Sequence, residues 1–367
     1  MSTRIFDTFI LGNRQLGNRI TMAALTRQRA GEDGVPTELH AEYYSQRAGA
    51  GLIVTEGTFP AFGNRAFPGQ AGIANEEQQR GWSGVAEAVH RRGGVVFMQI
   101  MHGGRVSAPD LLRGGIPEAP SAIAAGIEVH GWEGKKFQAP VPRALDTAEL
   151  PRIVDEFVAA ARRAVDAGLD GVEIHGANGY LLHEFLAPTS NHRDDAYGGS
   201  PENRARLLIE VIRAVAGEIG AQRTAVRISP QHNVQGTVEP DEQDVIATYG
   251  ALFSGIRDLT PAYISVLKLD PADRVGRFLR DGIQRELGIP LILNTGFPTV
   301  TGYDDARHLV DDLGADAVAV GRLFISNPDL VERWATGAEL NPPDASTFYS
   351  GGAHGYTDYP ELARDRS

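Results

Sequence analysis

The sequence predicts an α/β fold, a closed (β/α)8 TIM barrel, and three observations carry that expectation. Short, nearly continuous apolar runs alternate strictly with longer amphipathic stretches, eight of each. A parallel sheet covered by helices reads in this way, and eight repeats favour closure. No G-x-G-x-x-G follows any of the runs, so the runner-up, an open doubly wound sheet, lacks its usual dinucleotide turn. Polar side chains gather at the C-terminal ends of the runs, the end where barrels hold their chemistry.

In chain order the expected strands are Ile20–Met22, Leu52–Thr55, Val95–Ile100, Gly171–His175, Thr224–Ile228, Tyr263–Val266, Leu291–Asn294 and Ala317–Val320. Each is apolar and partly β-branched, as a strand buried on both faces requires. The expected helices are Pro36–Ala48, Glu76–Arg92, Thr147–Ala167, Pro201–Gly217, Pro240–Arg257, Phe278–Leu287, Val300–Asp312 and Asn327–Ala335. Asp146-Thr147-Ala148-Glu149 resembles a capping box, and Ser200-Pro201 puts proline at a first helical position. Gly168, Gly220 and Gly314 close helices. Two segments fall outside the repeat. Residues 103–146, rich in Gly and Pro, are expected to form a hairpin-bearing excursion over the barrel mouth, and Lys268–Arg277 is a long loop after the sixth strand. The tail from Thr336 is expected to fold back over the mouth, which makes residues 1–367 a single barrel domain.

Composition narrows the function classes. The chain is 42% hydrophobic and 22% charged, as an ordinary globular protein is. A formal charge of −12, with no run of Lys and Arg, argues against nucleic-acid partners. With no cysteine, thiolate chemistry and iron–sulfur clusters are excluded, so redox work needs a cofactor. Neither a signal-peptide core nor a membrane-length apolar run occurs, which makes the cytoplasm the default location. The ten histidines show no metal-ligand spacing, and no metal site is expected.

The strand ends supply the candidate site. Thr26 and Arg27 follow the first strand, Glu56 the second, Gln99 and His102 the third. His175 ends the fourth, with Asn178 and Tyr180 within five residues of it, and Arg227 ends the fifth. The seventh and eighth strands run into Asn294-Thr295-Gly296 and Gly321-Arg322. Glycines after the last two strands, each followed by a helix, form the common barrel phosphate site, to which Arg322 adds a fixed charge. Flavin mononucleotide suits such a site, with its phosphate there and its planar head over the barrel centre. Each residue also has a plainer reading. His175 alone is as consistent with a hydrogen-bonded structural histidine, Tyr180 with a packing aromatic, and Arg227 with an ion-pair partner of Glu56 or Glu173. His102, His183, His192 and Arg193 read as structural.

The ordered motifs MAALTRQRA, EYYSQRAGAGLIVTEGT, QIMHGGR, GVEIHGANGYLLHEFLAPTSNHRDDAYGGSPENR, RISP, VGRLFISNPDL and GGAHGYTDYP cover nearly the whole chain and resemble the classical branch of the old yellow enzyme family. The resemblance implies an FMN-dependent ene-reductase that passes hydride from NADPH or NADH, through the flavin, to an activated alkene. It also implies that Ala24, Leu25 and Thr26 contact the flavin, that Gly57 and Gln99 flank its pyrimidine edge, and that Arg227 faces N1 and O2. Asn294, Thr295, Gly296, Gly321 and Arg322 would complete the cofactor site. His175 and Asn178 would hold the activating oxygen of the substrate, Tyr180 would donate the proton, and Met101 and Tyr356 would line the substrate pocket. Two positions depart from the family pattern: Ala24 stands where many relatives have Pro, and Met101 where Trp is usual. Partners would be small activated alkenes and NAD(P)H, with the chain a monomer or homodimer. Two rival readings remain: a phosphosugar aldolase or isomerase using Lys268, one of three lysines, as a Schiff base, and a flavin-binding protein without catalysis.

Overall fold

The computed structural model describes residues 3–363, and its centre is a closed barrel of eight parallel strands. These are β1 (Ile20–Met22), β2 (Leu52–Val54), β3 (Val96–Ile100), β4 (Gly171–Gly176), β5 (Thr224–Ile228), β6 (Ile264–Leu267), β7 (Leu291–Asn294) and β8 (Ala317–Val320). They pair in sequence order, and β8 closes onto β1 through Ala319 opposite Thr21. Every expected strand is present, to within a residue or so at its ends.

Alternation along the strands sorts the residues into two cores. Val172, Ile174, Val226, Ile228, Ile264, Val266, Leu291 and Leu293 face outward into the shell packed under the helices. Leu52, Val54, Phe97, Ala225, Tyr263, Ile292, Ala317 and Ala319 face inward. A short hairpin, Phe9–Leu11 paired with Arg14–Leu16, was not legible in the sequence; it adds Leu11 and Leu16 to the inner cluster.

The helices differ from expectation mainly at their starts. The sixth begins at Arg274 rather than Phe278, because the Asp273 side chain caps it by accepting from Gly276 N at 2.7 Å. The loop after β6 is correspondingly short. The seventh begins at Tyr303 rather than Val300, where the Asp305 carboxylate accepts from Gly302 N at 2.9 Å. A helix at Leu181–Leu186 and another at Arg322–Ser326 were not expected; the second precedes the Leu330–Thr336 helix. Between residues 103 and 146 lies the expected hairpin, Glu128–His130 against Lys136–Gln138, and a second contact pairs Glu118–Ala119 with Arg143–Ala144.

Asp170, immediately before β4, ties the barrel floor together. Its carboxylate accepts from Val96 N at 2.8 Å, lies 2.7 Å from Arg14 Nη2 and 2.9 Å from His90 Nε2, and is buried. Asp170→Ala leaves the buried Val96 N–H without its acceptor and should lower unfolding stability by about 2–4 kcal/mol. Urea denaturation of the purified variant checks this, and an unchanged midpoint would discount the tie.

Candidate functional site

The site is built on the inward positions at the C-terminal ends of the strands. His175, at the end of β4, is followed by a tight turn in which Asn178 (φ +57°) and Gly179 (φ +79°) are both left-handed. A Cβ on Gly179 would stand 2.8 Å from Val234 O, so this turn requires glycine. Three bonds hold it: Asn178 N donates to Ser229 Oγ at 2.7 Å, Gln235 Nε2 donates to Asn178 O at 2.7 Å, and Gly179 N donates to His183 Nδ1 at 2.9 Å. With the backbone so occupied, the side chains are left for other work. His175 and Asn178 are 3% and 7% exposed, yet His175 Nδ1 and Asn178 Oδ1 have no protein partner. Buried polar atoms are rarely left so.

Tyr180 follows as the residue before the Leu181–Leu186 helix, its ring 5.1 Å from that of His175 and edge-on to Phe67 at 6.3 Å. It packs in an apolar cluster with Met101, Val106, Leu111 and Val129, much of it contributed by the excursion after β3. Burial pushes the Tyr180 phenol up to about 12, against a hydrogen bond from Gln235 that draws it down. The phenol is therefore protonated throughout the neutral range. Burial, and then Arg227, holds His175 well below the usual histidine range, so the ring is neutral.

The register fixes the neighbours. His175 lies opposite Arg227, Glu173 opposite Gln99, and Arg227 opposite Ser265. Arg227 Nη1 donates to Ser265 Oγ at 3.2 Å, and Gln99 Nε2 donates to Glu173 Oε1 at 2.7 Å. Glu56 is not Arg227's partner; its Oε2 accepts from Arg27 N at 3.3 Å. Gly57 fits beside Met101, whose Sδ would stand 2.7 Å from a Cβ at that position.

On the far side of the mouth, Asn294 Nδ2 donates to Ala319 O at 2.7 Å while its Oδ1 accepts from Gly296 N at 3.0 Å, which links β7 to β8. Gly296 is left-handed at φ +93°, and Gly321 begins the Arg322–Ser326 helix. Thr295 Oγ1 is 3.4 Å from Thr301 Oγ1. Ala24, Leu25 and Thr26 form a half-buried stretch after β1, and Leu25 lies beneath Gly321, its Cδ2 3.4 Å from where a Cβ would be.

The stretch after β1 is gripped by the tail. Arg27 Nε donates to Phe348 O at 2.9 Å and Nη2 to Gly355 O at 2.8 Å, while Arg29 Nη2 donates to Thr347 O at 2.7 Å. Tyr356 is wholly buried there, stacked on Tyr43 at 4.0 Å with the Arg27 and Arg29 guanidinium groups over its ring. The structure thus groups Tyr356 with the tail clasp and not with the Tyr180–Met101 cluster.

Lys268 lies just beyond β6, and its Nζ is 2.6 Å from Asp273 and donates to Gln231 Oε1 at 3.1 Å. A paired ammonium is a poor Schiff-base nucleophile. Ser265, Ser229 and Gln235 shape the site without having been expected to, and Glu173, weighed as a partner of Arg227, is bonded by Gln99 instead; strand register pairs Ser265 with Arg227 and Glu173 with Gln99, and the loop after β5 brings Ser229 and Gln235 to Asn178. No three His, Asp or Glu side chains among the described residues are grouped to hold a metal. A surface cleft of about 570 Å³, lined by Gln46, Arg92 and Glu332, includes none of these site residues.

A family model described as NADH:flavin oxidoreductase / NADH oxidase family matches residues 4–341. The chain is similar to a probable flavin mononucleotide-dependent alkene reductase of Leishmania infantum, 41% identical over 359 residues, covering 96% of this chain and 95% of that protein. Among solved structures it is similar to the old yellow enzyme homologue of Zymomonas mobilis, with a TM-score of 0.89 at 40% identity over 97% of this chain and 99% of that one. Morphinone reductase in complex with tetrahydroNAD matches with a TM-score of 0.89 at 40% identity over 100% of this chain and 99% of that one.

One histidine beside the site gives the stability a pH dependence. His102 is buried; Gly104 N donates to its Nδ1 at 3.1 Å, and Asn64 Nδ2 lies 2.8 Å from its Nε2. Burial, and then Arg152, lowers it to about 3. Because the folded value lies below the unfolded value of about 6.5, this stability is full above about pH 6.5 and is lost as pH falls toward the folded value. Thermal unfolding followed from pH 7 to pH 4 should show a shallower loss in His102→Gln than in the parent, and parallel slopes would contradict this origin.

Proposed function

Because this chain belongs to the NADH:flavin oxidoreductase / NADH oxidase family and shares about 40% identity over nearly its full length with old yellow enzyme homologues, we propose that His175, Asn178 and Tyr180 carry out the reduction of an α,β-unsaturated carbonyl, maleimide or nitroalkene. The chain is an FMN-dependent, NAD(P)H-linked ene-reductase. The observation that carries the assignment of roles is the pair of buried, unpartnered polar side chains, His175 and Asn178, beside a buried protonated phenol.

The mouth of the barrel fits FMN. The glycine turns after β7 and β8, with Arg322 beside Gly321, would bring backbone N–H groups and a cation to a phosphate, although the Gly296 N–H itself is held by Asn294 Oδ1. Arg227, with Ser265 as its single side-chain hydrogen-bond partner among the described residues, has donors to spare for the N1 and O2 side of the ring. Gln99 and Gly57 would flank the pyrimidine edge, and Ala24, Leu25 and Thr26 would lie along the ring. Bound FMN supplies two-electron chemistry, accepting hydride from NADH or NADPH and delivering it to the β-carbon of the alkene.

The protein's own residues then act on the substrate. Hydride arrival at the β-carbon builds negative charge on the activating oxygen, which the His175 ring N–H and the Asn178 amide N–H stabilise. A neutral imidazole suits this task because it donates without transferring its proton. Tyr180 delivers the proton to the α-carbon, and a phenol raised to about 12 is fully loaded at neutral pH. Met101, in place of a larger ring, gives the substrate side of this pocket a flexible wall. The single domain, the default cytoplasmic location and a monomeric or homodimeric state belong to the same reading. No described helix is long and apolar enough to cross a membrane.

Anaerobic absorption spectroscopy tests the proposal. The flavin spectrum should bleach with NADPH or NADH and return on addition of 2-cyclohexenone; no recovery would sink the alkene-reductase reading for that substrate class. Tyr180→Phe should slow the recovery by about 10²–10⁴-fold, the usual worth of a general acid, and leave the bleaching rate unchanged. Equal recovery rates in parent and variant would remove Tyr180 from the proton-transfer role.

A further inference from the structure

Glu173 is a buried acid inside the barrel for which the mechanism above has no use. It is an inward residue of β4, 1% exposed, one alternation below His175. Beneath it, Phe97 and Tyr263 lie with ring centroids 5.8 Å apart, and both are fully buried. An apolar side chain would fill this place without the cost of desolvating a carboxylate, so the charge calls for an explanation. Its partners offer one. Gln99 Nε2 donates to Glu173 Oε1 at 2.7 Å across the β3–β4 pair, and both Arg227 and Glu173 face the barrel interior, from adjacent strands. Burial raises the Glu173 pKa, and the attraction of Arg227, followed by the Gln99 bond and the Tyr263 hydroxyl, opposes that rise.

The bond to Glu173 has a consequence for Gln99. A primary amide has one donor end and one acceptor end. With the Gln99 N–H2 turned down toward Glu173, its carbonyl is the end presented toward the mouth, where it can accept from a ring N–H. The same carboxylate sets a negative charge against the buried Arg227 guanidinium.

We propose that Glu173 is a positioning residue for the flavin: it fixes the Gln99 amide with its carbonyl toward the pyrimidine edge and partly offsets Arg227, so that the flavin's reduction potential is lower than Arg227 alone would set it. This rests on the FMN-dependent reading given above and deepens it. The effect is electrostatic and orienting, and Glu173 itself touches neither the alkene nor the reacting atoms.

Two substitutions separate charge from orientation. Glu173→Gln retains an acceptor for Gln99 and removes the charge, whereas Glu173→Leu removes both. The readouts are FMN affinity of the apoprotein, by quenching of flavin fluorescence, and the two-electron midpoint potential of the loaded protein, by spectroelectrochemistry. The parent is measured first; if it fails to bind FMN, the flavin reading itself is wrong, and that failure is distinct from one confined to the variants. Glu173→Gln should favour reduced over oxidised FMN by about tenfold more than the parent, a rise of about 30 mV for a two-electron couple. Its FMN affinity should stay within about twofold of the parent, while Glu173→Leu should bind FMN about tenfold more weakly, the worth of one buried hydrogen bond. A parental potential in Glu173→Gln, or parental FMN affinity in Glu173→Leu, overturns the proposal. Should Glu173→Leu not fold, the potential of Glu173→Gln decides alone.

Discussion

Period-two alternation in eight short strands, closed on themselves, places the strand-borne side chains of this site. Closure removes the edges of the sheet and forces each strand to present alternate residues to a single interior. At the floor that interior is apolar, with Phe97, Ala225, Tyr263 and Ala317. Two residues further along the same strands it turns polar, with Gln99, Arg227 and Ser265. One more alternation brings His175 on β4 and Met101 after β3 to the rim. A slip of one residue in any strand would turn these groups outward among the helices, where a buried charge has no partner.

A polar layer above an apolar floor explains why the acids and bases here have shifted proton affinities. Arg227, Glu173, His175 and Tyr180 are all nearly excluded from solvent. Burial raises the acids and lowers His175 and Arg227, and for Glu173 the attraction of Arg227 opposes that rise. Chemistry that needs a neutral imidazole beside an undissociated phenol can use such an interior at neutral pH. The turn at Asn178–Gly179 contributes differently. By consuming backbone donors and acceptors in bonds to Ser229, Gln235 and His183, it leaves the side-chain polar atoms as the unspent ones.

The rim is assembled from parts distant in sequence. Two arginines directly after the Ala24–Thr26 stretch bind carbonyls of the tail, and Tyr356 seals that junction by stacking on Tyr43. The tail thereby restrains the loop below the site, and the excursion after β3 walls Tyr180 from the opposite side with Val106, Leu111 and Val129. The barrel supplies alignment, and these two irregular segments supply enclosure.

Much of this was legible in the chain itself. Apolar periodicity revealed the eight strands and most helices, because burial on both faces leaves a continuous apolar run that no other element of that length requires. Strand-end polarity marked His175, Asn178, Tyr180 and Arg227, and the glycines after β7 and β8 stood out for the same positional reason. The helix starts at Arg274 and Tyr303 were missed because carboxylates from just outside or within the first turn set them, against weak local signals. The N-terminal hairpin was missed because its three-residue strands carry too little pattern. The sequence by itself determined the barrel and the chemical types at its mouth, since both follow from local period and composition. Only the tertiary structure decided which groups meet: Glu173 with Gln99, Arg227 with Ser265, Tyr356 with Tyr43. Those pairings depend on register between strands and on where a distant tail docks, and neither leaves a trace in neighbouring residues.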